Sequence, residues 1–324
     1  MAQAVVIEQY GGPEVLKIKE VPVGPPKANE VRLRHTSIGV NFHDVYVRSG
    51  LYKTLQLPGI PGIEAAGVVT ECGSAVTRWK VGERVAYVTG AYGVYASERV
   101  IDAAQLLRIP AGVSDEVAAS ALLRGLTVEM LLRRVHHLTP GSWILVQAAA
   151  GGVGQLLCQW ASHMGATVIG TVADDEQDRA AAAAGCHHRI HFKRENVVER
   201  VRELTQGKGV SVAYDGVGKD TFAGSLDCLD YCGHLVNFGQ SSGSVPPFEV
   251  SRLAAKSSSL SRPIVFHYVR EAAQREEMAA NVFRALEQGW LTVKPARTFP
   301  LADAAESHRV IEAAGATVPL VLVP

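Results

Sequence analysis

The sequence predicts an α/β protein in two parts, a mostly β region followed by a doubly wound parallel sheet. Three observations carry this prediction. Residues 1 to about 110 contain short β-rich runs separated by Gly and Pro turns. From Trp143 onward apolar strands alternate with helical stretches, which is the rhythm of βαβ units. The small-residue turn Ala149–Gly154 lies between a predicted strand and helix, where such sheets bind phosphate groups.

The turn after the predicted strand Trp143–Val146 has the spacing of a dinucleotide-binding loop. Ala149, Gly151 and Gly154 occupy the three glycine positions of the G-x-G-x-x-G pattern. Gly151 lets the backbone approach a pyrophosphate, Gly154 lets helix and strand pack closely, and Ala149 replaces the glycine of the turn itself. The first amides of the helix then face the phosphates at the positive end of its dipole. A Gly-rich turn in another kind of α/β protein is the alternative.

The other elements are predicted in chain order. A helix should run from Ala118 to Leu132, after an N-cap candidate at Ser114. After about Pro263 the alternation ends, and the chain is expected to return to the first region. The remaining predicted strands and helices are Ala4–Ile7, Val31–His35, Gly67–Thr70, Thr167–Thr171, Asp175–Ala184, Val197–Leu204, Val210–Tyr214, His234–Phe238, Glu271–Gln288 and Pro319–Val323.

The composition is that of an ordinary globular protein. Lys+Arg and Asp+Glu both number 32, so the charge gives no reason to expect nucleic acid or an anionic membrane as a partner. The first residues lack the features of a signal peptide, and no run approaches the roughly 18 apolar residues of a membrane span. The five scattered cysteines suit reduced thiols. We therefore expect a cytoplasmic protein.

Motifs along nearly the whole chain resemble those of one family. They are Gly11–Leu16, Ile38–Tyr52, Pro61–Gly67, Gly125–Thr127, Gln147–Gly154, Tyr214–Gly218, Ser225–Leu229 and Ser261–Pro263. With these motifs the chain resembles the zinc-free quinone oxidoreductases related to ζ-crystallin, within the medium-chain dehydrogenase/reductase superfamily. The resemblance implies a GroES-like catalytic domain at residues 1–120 and 264–324, interrupted by a Rossmann domain at residues 121–263.

The resemblance also implies that the protein works without zinc. Zinc-dependent members of the superfamily hold a catalytic metal through a Cys and a His at places that here read Asn41 and Ile63. Loss of that Lewis acid argues against alcohol dehydrogenation and favours an easily reduced acceptor. Three histidines at a predicted helix-to-strand connection lack a paired carboxylate or thiol and are interpreted as surface residues: His187, His188 and His191.

The implied reaction is hydride transfer from NAD(P)H to a quinone. By resemblance, four catalytic residues line a cleft between the domains and hydrogen-bond a carbonyl as it gains charge. They are Asn41, Tyr46, Tyr52 and Arg262. Barrel packing is the alternative for the tyrosines, a turn for Asn41, and a phosphate or domain contact for Arg262. Members of the family usually have an apolar residue where this chain has His43. His43 is a candidate proton donor, but we expect it to be an exposed histidine.

The resemblance further implies a set of cofactor-binding residues. They are Phe42, Asp44, Tyr46, Thr127, Ala150, Gly151, Gly152, Val153, Gly154, Ala173, Asp174, Gln177, Phe192, Gly216, Phe238, Gly239, Ser241 and Ser242. The family commonly prefers NADPH and holds the 2′-phosphate with a Lys, a Tyr and an Arg. Those three places here read Gln177, Phe192 and about Gly315.

The loop that contains Gln177 raises a question about the cofactor. It carries the acidic run Asp174–Glu176, and Asp174 lies about 20 residues after Gly154, close to where an acidic residue holds the ribose hydroxyls in NAD enzymes. Like charges beside a phosphate weaken binding unless basic residues compensate. NADP(H) is thus the family expectation and NAD(H) the alternative. Two further possibilities are capping of the next helix by the acidic residues and compensation by Arg179, Lys193 and Arg194.

Two other functions remain open. The runs Val31–Arg34 and Gly185–His188 also resemble 2-haloacrylate reductases, and reduction of an enoyl or 2-haloacrylate C=C bond needs a proton donor such as Tyr46, Tyr52 or His43. Relatives of ζ-crystallin also include lens structural proteins and RNA-binding proteins, although the neutral charge weighs against RNA. By analogy we expect a homodimer, paired through the stretch from Leu235 toward Leu260.

Overall fold

The computed structural model describes residues 1–313 and 317–324. By the contacts within it, the chain divides into two units. The first unit comprises Met1–Arg124, Val269–Glu287 and Val293–Pro324, and the second comprises Gly125–Tyr268 and Gln288–Thr292.

The predicted domain limits stay a prediction and lie within a few residues of these unit limits. The segment 288–292 groups with the second unit, although the prediction placed it in the first. Side-chain contacts explain the difference. Thr292 N donates to Gln159 Oε1 at 2.7 Å, and the Trp290 ring stacks on His163 with 4.3 Å between centroids.

Residues 1 to about 110 are mostly β, as predicted. Ser114 Oγ accepts a hydrogen bond from Val117 N at 3.2 Å, so the predicted N-cap is confirmed. In chain order the elements are β1 (Ala2–Val6), β2 (Lys17–Val21), β3 (Glu30–Val40), α1 (Phe42–Ser49), β4 (Glu64–Cys72), β5 (Arg84–Val88), β6 (Glu98–Asp102), β7 (Leu107–Arg108) and α2 (Asp115–Met130), which continues into the second unit.

Strands and helices then alternate through the second unit. The helix predicted at Val197–Leu204 has the same bounds in the structure. The elements are β8 (Trp143–Val146), α3 (Gly152–His163), β9 (Thr167–Val172), α4 (Asp175–Ala183), β10 (His188–His191), α5 (Val197–Leu204), β11 (Val210–Asp215), α6 (Phe222–Asp227), β12 (Leu229–Asn237), β13 (Ser259–Ser261) and α7 (Val265–Tyr268).

The predicted return of the chain to the first region is confirmed. After α7 come α8 (Ala272–Glu287), β14 (Arg297–Pro300), α9 (Ala304–Glu312) and β15 (Leu320–Val323). β15 pairs antiparallel with β3, with Leu320 opposite Val40. The main sheet of the first unit has the order β14-β15-β3-β4-β5-β7, and β6 also pairs with β3. Among the described residues, no helix is long and apolar enough to cross a membrane.

The second unit is built on a parallel sheet with the order β10-β9-β8-β11-β12-β13. This is the order 3-2-1-4-5-6 of a doubly wound fold, so that prediction is confirmed. Leu145, Ile169, Ala213 and Leu235 are fully buried in its core. The strand order reverses between β8 and β11, and ligands of such sheets bind at the carboxyl ends of the strands at this point.

Candidate active site

The turn between β8 and α3 has the geometry of a phosphate-binding loop. Ala148 has φ +55°, and its carbonyl oxygen accepts a hydrogen bond from Gly151 N at 2.9 Å. Gly151 is the N-cap of α3, so the first amides of this helix point toward the carboxyl edge of the sheet. A Cβ on Gly154 would lie 2.9 Å from backbone atoms of Ala149 and closer still to the Ala148 oxygen. The left-handed residue is thus Ala148, whereas the sequence pattern placed the turn glycine at Ala149.

A buried polar network fixes the strand ends around this turn. Gln147 accepts from Thr171 Oγ1 at 2.8 Å and donates to Ser225 Oγ at 3.0 Å. Ser225 Oγ donates to Asp215 Oδ2 at 2.8 Å. The other oxygen of Asp215 accepts from the amides of Val217 and Gly218. The network therefore joins the carboxyl ends of β9, β8 and β11, and a dinucleotide would meet a rigid edge.

The loop after β9 is closed by reciprocal hydrogen bonds. Gln177 N donates to Asp174 Oδ1 at 2.9 Å, and Gln177 Oε1 accepts from Ala173 N at 2.9 Å. Asp174 therefore caps α4, in agreement with the capping alternative. The exposed Asp175 lies 3.8 Å from Arg194 Nη1. Phe192 follows β10 and is half exposed, and Gly315 lies outside the described residues.

The loops after β11 and β12 meet beside the same sheet edge. Ser242 N donates to Val217 O at 2.9 Å, and Gly216 packs so closely on Phe238 that a Cβ there would lie 2.8 Å from the ring. The exposed Arg262 donates to Asn237 O at 3.3 Å. The structure thus brings together the predicted cofactor residues of these loops, which are Gly216, Phe238, Gly239, Ser241 and Ser242. Thr127 lies on α2, within the second unit.

In the first unit, Asn41 begins helix α1 in a capping box with Asp44. Asp44 Oδ2 accepts from Asn41 N at 2.8 Å, and Asn41 Nδ2 donates to Glu64 Oε2 at 2.9 Å. Both carboxylates are fully buried. Asn41 is therefore a helix N-cap with extended backbone and not a turn residue, and its carboxamide is oriented by Glu64.

A chain of buried polar groups extends from Asp44. Tyr95 OH donates to Asp44 Oδ2 at 3.1 Å and lies 3.1 Å from His308 Nε2. Arg48 donates to His308 Nδ1 and forms a two-point ion pair with Glu312 at 2.8 Å. Desolvation raises the pKa of Asp44 to about 7. The Asp44 carboxylate is fully buried and accepts from Asn41 N and Tyr95 OH, and its contact with a cofactor stays a prediction.

Aromatic side chains gather along the same face of α1 and the loop after it. The Phe42 and Tyr46 rings are 5.4 Å apart, Tyr46 and Tyr52 are 4.9 Å apart, and His43 and Tyr52 are 5.7 Å apart. The expectation that His43 is an exposed histidine is wrong, since it is half-buried between Tyr52 and Tyr92. Burial lowers the pKa of His43 to about 4, so its imidazole is neutral at pH 7. The ring planes are tilted to one another by 57–69°, and the rings together form a compact aromatic cluster in which Tyr46 is buried.

Of the three histidines around β10, His187 is exposed as interpreted, whereas His188 and His191 are half-buried. His191 Nε2 lies 3.4 Å from Asp178 Oδ1, so a paired carboxylate is present. The His188 ring stacks on Trp143 at 5.4 Å, and His187 Nδ1 accepts from Val168 N at 3.0 Å. Within residues 1–313 and 317–324, no group of three potential ligands is arranged to hold a metal ion.

Comparison with known proteins accounts for both units. Residues 27–111 match the family model of the alcohol dehydrogenase GroES-like domain, and residues 152–284 match that of the zinc-binding dehydrogenases. A quinone oxidoreductase of Pseudomonas aeruginosa is 43% identical over 325 residues, which cover 100% of both chains. The chain belongs to the zinc-free quinone oxidoreductase family. The predicted GroES-like and Rossmann folds are thereby confirmed.

Other members and relatives of the quinone oxidoreductase family match over the same length. A quinone oxidoreductase of Escherichia coli, solved in complex with NADPH, has a TM-score of 0.97 at 40% identity, covering 100% of both chains. A 2-haloacrylate reductase of a Burkholderia species is 41% identical over 100% of this chain and 99% of its own.

Several residues of the site were not predictable from the sequence. Glu64 lies within one of the family motifs, but no sequence pattern indicated its contact with Asn41. Tyr95 and His308 gave no signal, because they are 213 residues apart in the chain. Tyr92 has φ +57° and contacts His43 and Thr54 through its hydroxyl, which no sequence pattern indicated.

Proposed function

We propose that this protein is an NAD(P)H-dependent quinone oxidoreductase that works without zinc. One observation carries the proposal: the chain combines a dinucleotide-binding turn in its second unit with an aromatic cluster beside Asn41 in its first. Relatives that are 40–43% identical over their full length are named quinone oxidoreductases, and one was solved with NADPH. The alignments with these relatives and with the structure solved with NADPH cover the whole chain.

The residues of the second unit suit a bound dinucleotide. The amides at the start of α3 would hold the pyrophosphate, and Gly151 leaves room for it, since a Cβ there would meet only the Ala148 oxygen within 4 Å. A bound reduced nicotinamide supplies a hydride from C4. Arg262, predicted to be catalytic, is proposed to contact the acceptor or the cofactor through its exposed guanidinium.

The residues of the first unit suit a planar acceptor. Tyr46 and Tyr52 offer ring surface for packing, and their hydroxyls are proposed to hydrogen-bond a quinone carbonyl as it gains charge. A carboxamide carries two N–H donors, and Glu64 accepts from the Asn41 nitrogen, so that nitrogen has a second proton to donate. Quinones are easily reduced, so holding and polarising the acceptor is the chemistry we assign to these residues.

A substrate panel tests the proposed function. We expect kcat/KM for benzoquinones and naphthoquinones to exceed that for activated alkenes by about tenfold or more. Steady-state rates would be measured with NADPH and with NADH in parallel. A protein that reduces none of the quinones would contradict the proposal.

Reduction of a C=C bond is the second candidate, and the identity with a 2-haloacrylate reductase favours it. An alkene must receive a proton as well as a hydride. The neutral His43 is a poor acid, so Tyr46 and Tyr52 are the better donors. If alkenes are substrates, Tyr46→Phe or Tyr52→Phe should lower alkene reduction at least 100-fold and quinone reduction less than about threefold. Equal losses with both acceptors argue against the donor role.

For the cofactor, we propose a weakened preference for NADPH. Gln177 stands where relatives carry the phosphate-binding Lys, and its side chain bonds back to Ala173 N. Asp174 and Asp175 bring negative charge to the same loop, while Arg194 pairs with Asp175. A 2′-phosphate would therefore meet a loop with little net positive charge, which disfavours its binding.

Adding a positive charge to this loop should restore a preference for NADPH over NADH. In the wild type we expect less than about a tenfold advantage of NADPH over NADH in kcat/KM. Gln177→Lys should raise that ratio about tenfold, which corresponds to about 1.4 kcal/mol. Gln288→Lys makes the same change at an exposed position outside the loop and should leave the ratio unchanged. A wild-type kcat/KM for NADPH more than about 100-fold above that for NADH would contradict the proposed weak preference.

We also propose a homodimer in the cytoplasm. β13 is the last strand of the parallel sheet, and exposed apolar side chains lie near it, namely Val250, Leu260 and Ile264. An exposed strand edge with apolar neighbours favours pairing with a second copy. Sedimentation equilibrium should give about twice the mass of 34.6 kDa, and a monomer mass would contradict the proposal. All five cysteines are free thiols, which suits a reducing compartment.

A further inference from the structure

Asn41 is held between two buried carboxylates. Its side-chain nitrogen donates to Glu64 Oε2 at 2.9 Å, and its backbone nitrogen donates to Asp44 Oδ2 at 2.8 Å. Glu64 is the first residue of β4, and Asp44 is the third residue of α1. Two separate elements therefore fix the position and the orientation of one candidate catalytic side chain.

Glu64 also reaches a second donor. Its Oε1 accepts from the backbone nitrogen of Leu123, within helix α2, at 2.6 Å. The carboxylate of Glu64 packs against Gly39 on β3. A Cβ on Gly39 would lie only 3.2 Å from Glu64 Cδ, so the glycine leaves the space that the carboxylate needs. Each carboxylate oxygen of Glu64 thus accepts a hydrogen bond from a different element of the first unit.

The charged groups around Glu64 come from the neighbouring elements. Asp44 on α1 opposes its ionisation, and the half-buried Arg124 on α2 favours it. Behind Asp44 lie Tyr95, His308 and Arg48. Desolvation is the largest effect and raises the pKa of Glu64 to about 7, whereas the hydrogen bonds from Leu123 and Asn41 act in the opposite direction.

We propose that Glu64 is a positioning residue that holds Asn41 for the reaction only while its carboxylate is ionised. This inference rests on the proposed function. An ionised carboxylate accepts at both oxygens, whereas a protonated one carries a hydrogen on an oxygen that already faces an N–H donor. Protonation of Glu64 therefore breaks the hydrogen bond to Leu123 or the one to Asn41. When the Asn41 bond is lost, the carboxamide is no longer held in place for the acceptor.

The test compares the pH dependence of kcat in the wild type and in Glu64→Gln. The wild-type kcat for a quinone should rise with pH near neutrality and then level off. Glu64→Gln should lose this rise and show about a tenfold lower kcat at pH 8, with an unchanged dissociation constant for NADPH. Glu64→Asp keeps the ionisable group and should keep a pH-dependent rise. Glu71→Gln, at the exposed end of β4, is the matched control and should behave as the wild type.

Two further measurements keep the inference testable if Glu64→Gln is poorly stable. Asn41→Ala should lower kcat by a similar factor and remove the pH-dependent rise, and adding Glu64→Gln to it should cause little further loss. Because the pKa of folded Glu64 lies above its usual 4.5, its stabilising contribution is fully present below pH 4.5 and is lost as the pH rises through about 7. The melting temperature of the wild type should therefore fall as the pH rises from 4.5 to about 7, and that of Glu64→Gln should fall less over the same range.

The outcomes separate this inference from the proposed function. A Glu64→Gln variant with the wild-type kcat and pH profile overturns the positioning role while leaving the reductase function intact. Additive losses in the Asn41→Ala and Glu64→Gln double variant also overturn it. A wild-type protein that reduces no acceptor overturns the proposed function, and the role of Glu64 in that reaction falls with it.

Discussion

Replacing Gly154 with alanine is expected to lower the free energy of unfolding by about 3 kcal/mol, at the upper end of overpacking effects. The new Cβ would press against the backbone of Ala148 and Ala149, which cannot move without displacing the end of β8. Helix propensity predicts the opposite sign, since Gly→Ala within a helix such as α3 gains about 1 kcal/mol. Urea unfolding followed by tryptophan fluorescence measures the change, because Trp143 and Trp160 lie on β8 and α3.

Gly224→Ala is the matched control for this prediction. Gly224 lies in helix α6 of the same unit, and a Cβ there would meet only Val198 at 3.9 Å, an ordinary contact. We expect this variant to gain up to about 1 kcal/mol. Equal effects of the two substitutions would show that close packing at Gly154 is not required.

Gly151→Ala should impair cofactor binding and have little effect on stability. Its Cβ would lie 3.2 Å from one oxygen, so the fold should lose less than about 1 kcal/mol. The added methyl group would, however, occupy the space proposed for a pyrophosphate, and NADPH affinity should fall at least tenfold. Fluorescence titration with NADPH separates the two glycines: one is required for packing and the other for ligand approach.

Local patterns in the sequence predicted the elements around this turn. The helix Val197–Leu204 has the predicted bounds, and a strand begins at Trp143 as predicted, since hydrophobic periodicity and capping residues act over a few positions. The position of the left-handed residue was not predictable in the same way. It falls on Ala148, where the hydrogen bonds to Thr171 from the following strand hold the backbone.

The polar interior of the first unit lay beyond sequence reasoning. Its partners belong to distant segments, and burial of a carboxylate such as Asp44 or Glu64 depends on which strands and helices surround it. His43 shows the same limit, because a histidine on α1 is exposed or buried according to where Tyr52 and Tyr92 pack. A resemblance to a family can name Asn41 and Tyr46, but the contacts that orient them are properties of the folded chain.

Arg48→Met is expected to lower the free energy of unfolding by about 1.5–3 kcal/mol, the usual contribution of hydrogen bonds to charged groups, since Arg48 is buried but its partner Glu312 is exposed. Arg48 is only 2% exposed, and its guanidinium donates to Gly11 O at 3.1 Å as well as to both oxygens of Glu312 at 2.8 Å. Methionine fills similar space but donates no hydrogen bond, so it leaves Glu312 and His308 without the arginine. These contacts join α1 to α9, although residues 48 and 312 are 264 positions apart.

The control for Arg48 lies on α9 itself. Arg309 and Glu306 form an exposed pair at 3.0 Å, with about half of each side chain accessible, so Arg309→Met should cost less than about 1 kcal/mol. Adding Glu312→Gln to Arg48→Met should change this loss by less than about 1 kcal/mol, because the exposed Glu312 carboxylate is already solvated once the arginine is gone. Urea unfolding followed by circular dichroism gives the free energy of unfolding of the wild type, the two single variants and the double variant. If Arg48→Met and Arg309→Met differ by less than about 1 kcal/mol, the Arg48–Glu312 pair does not hold α1 against α9.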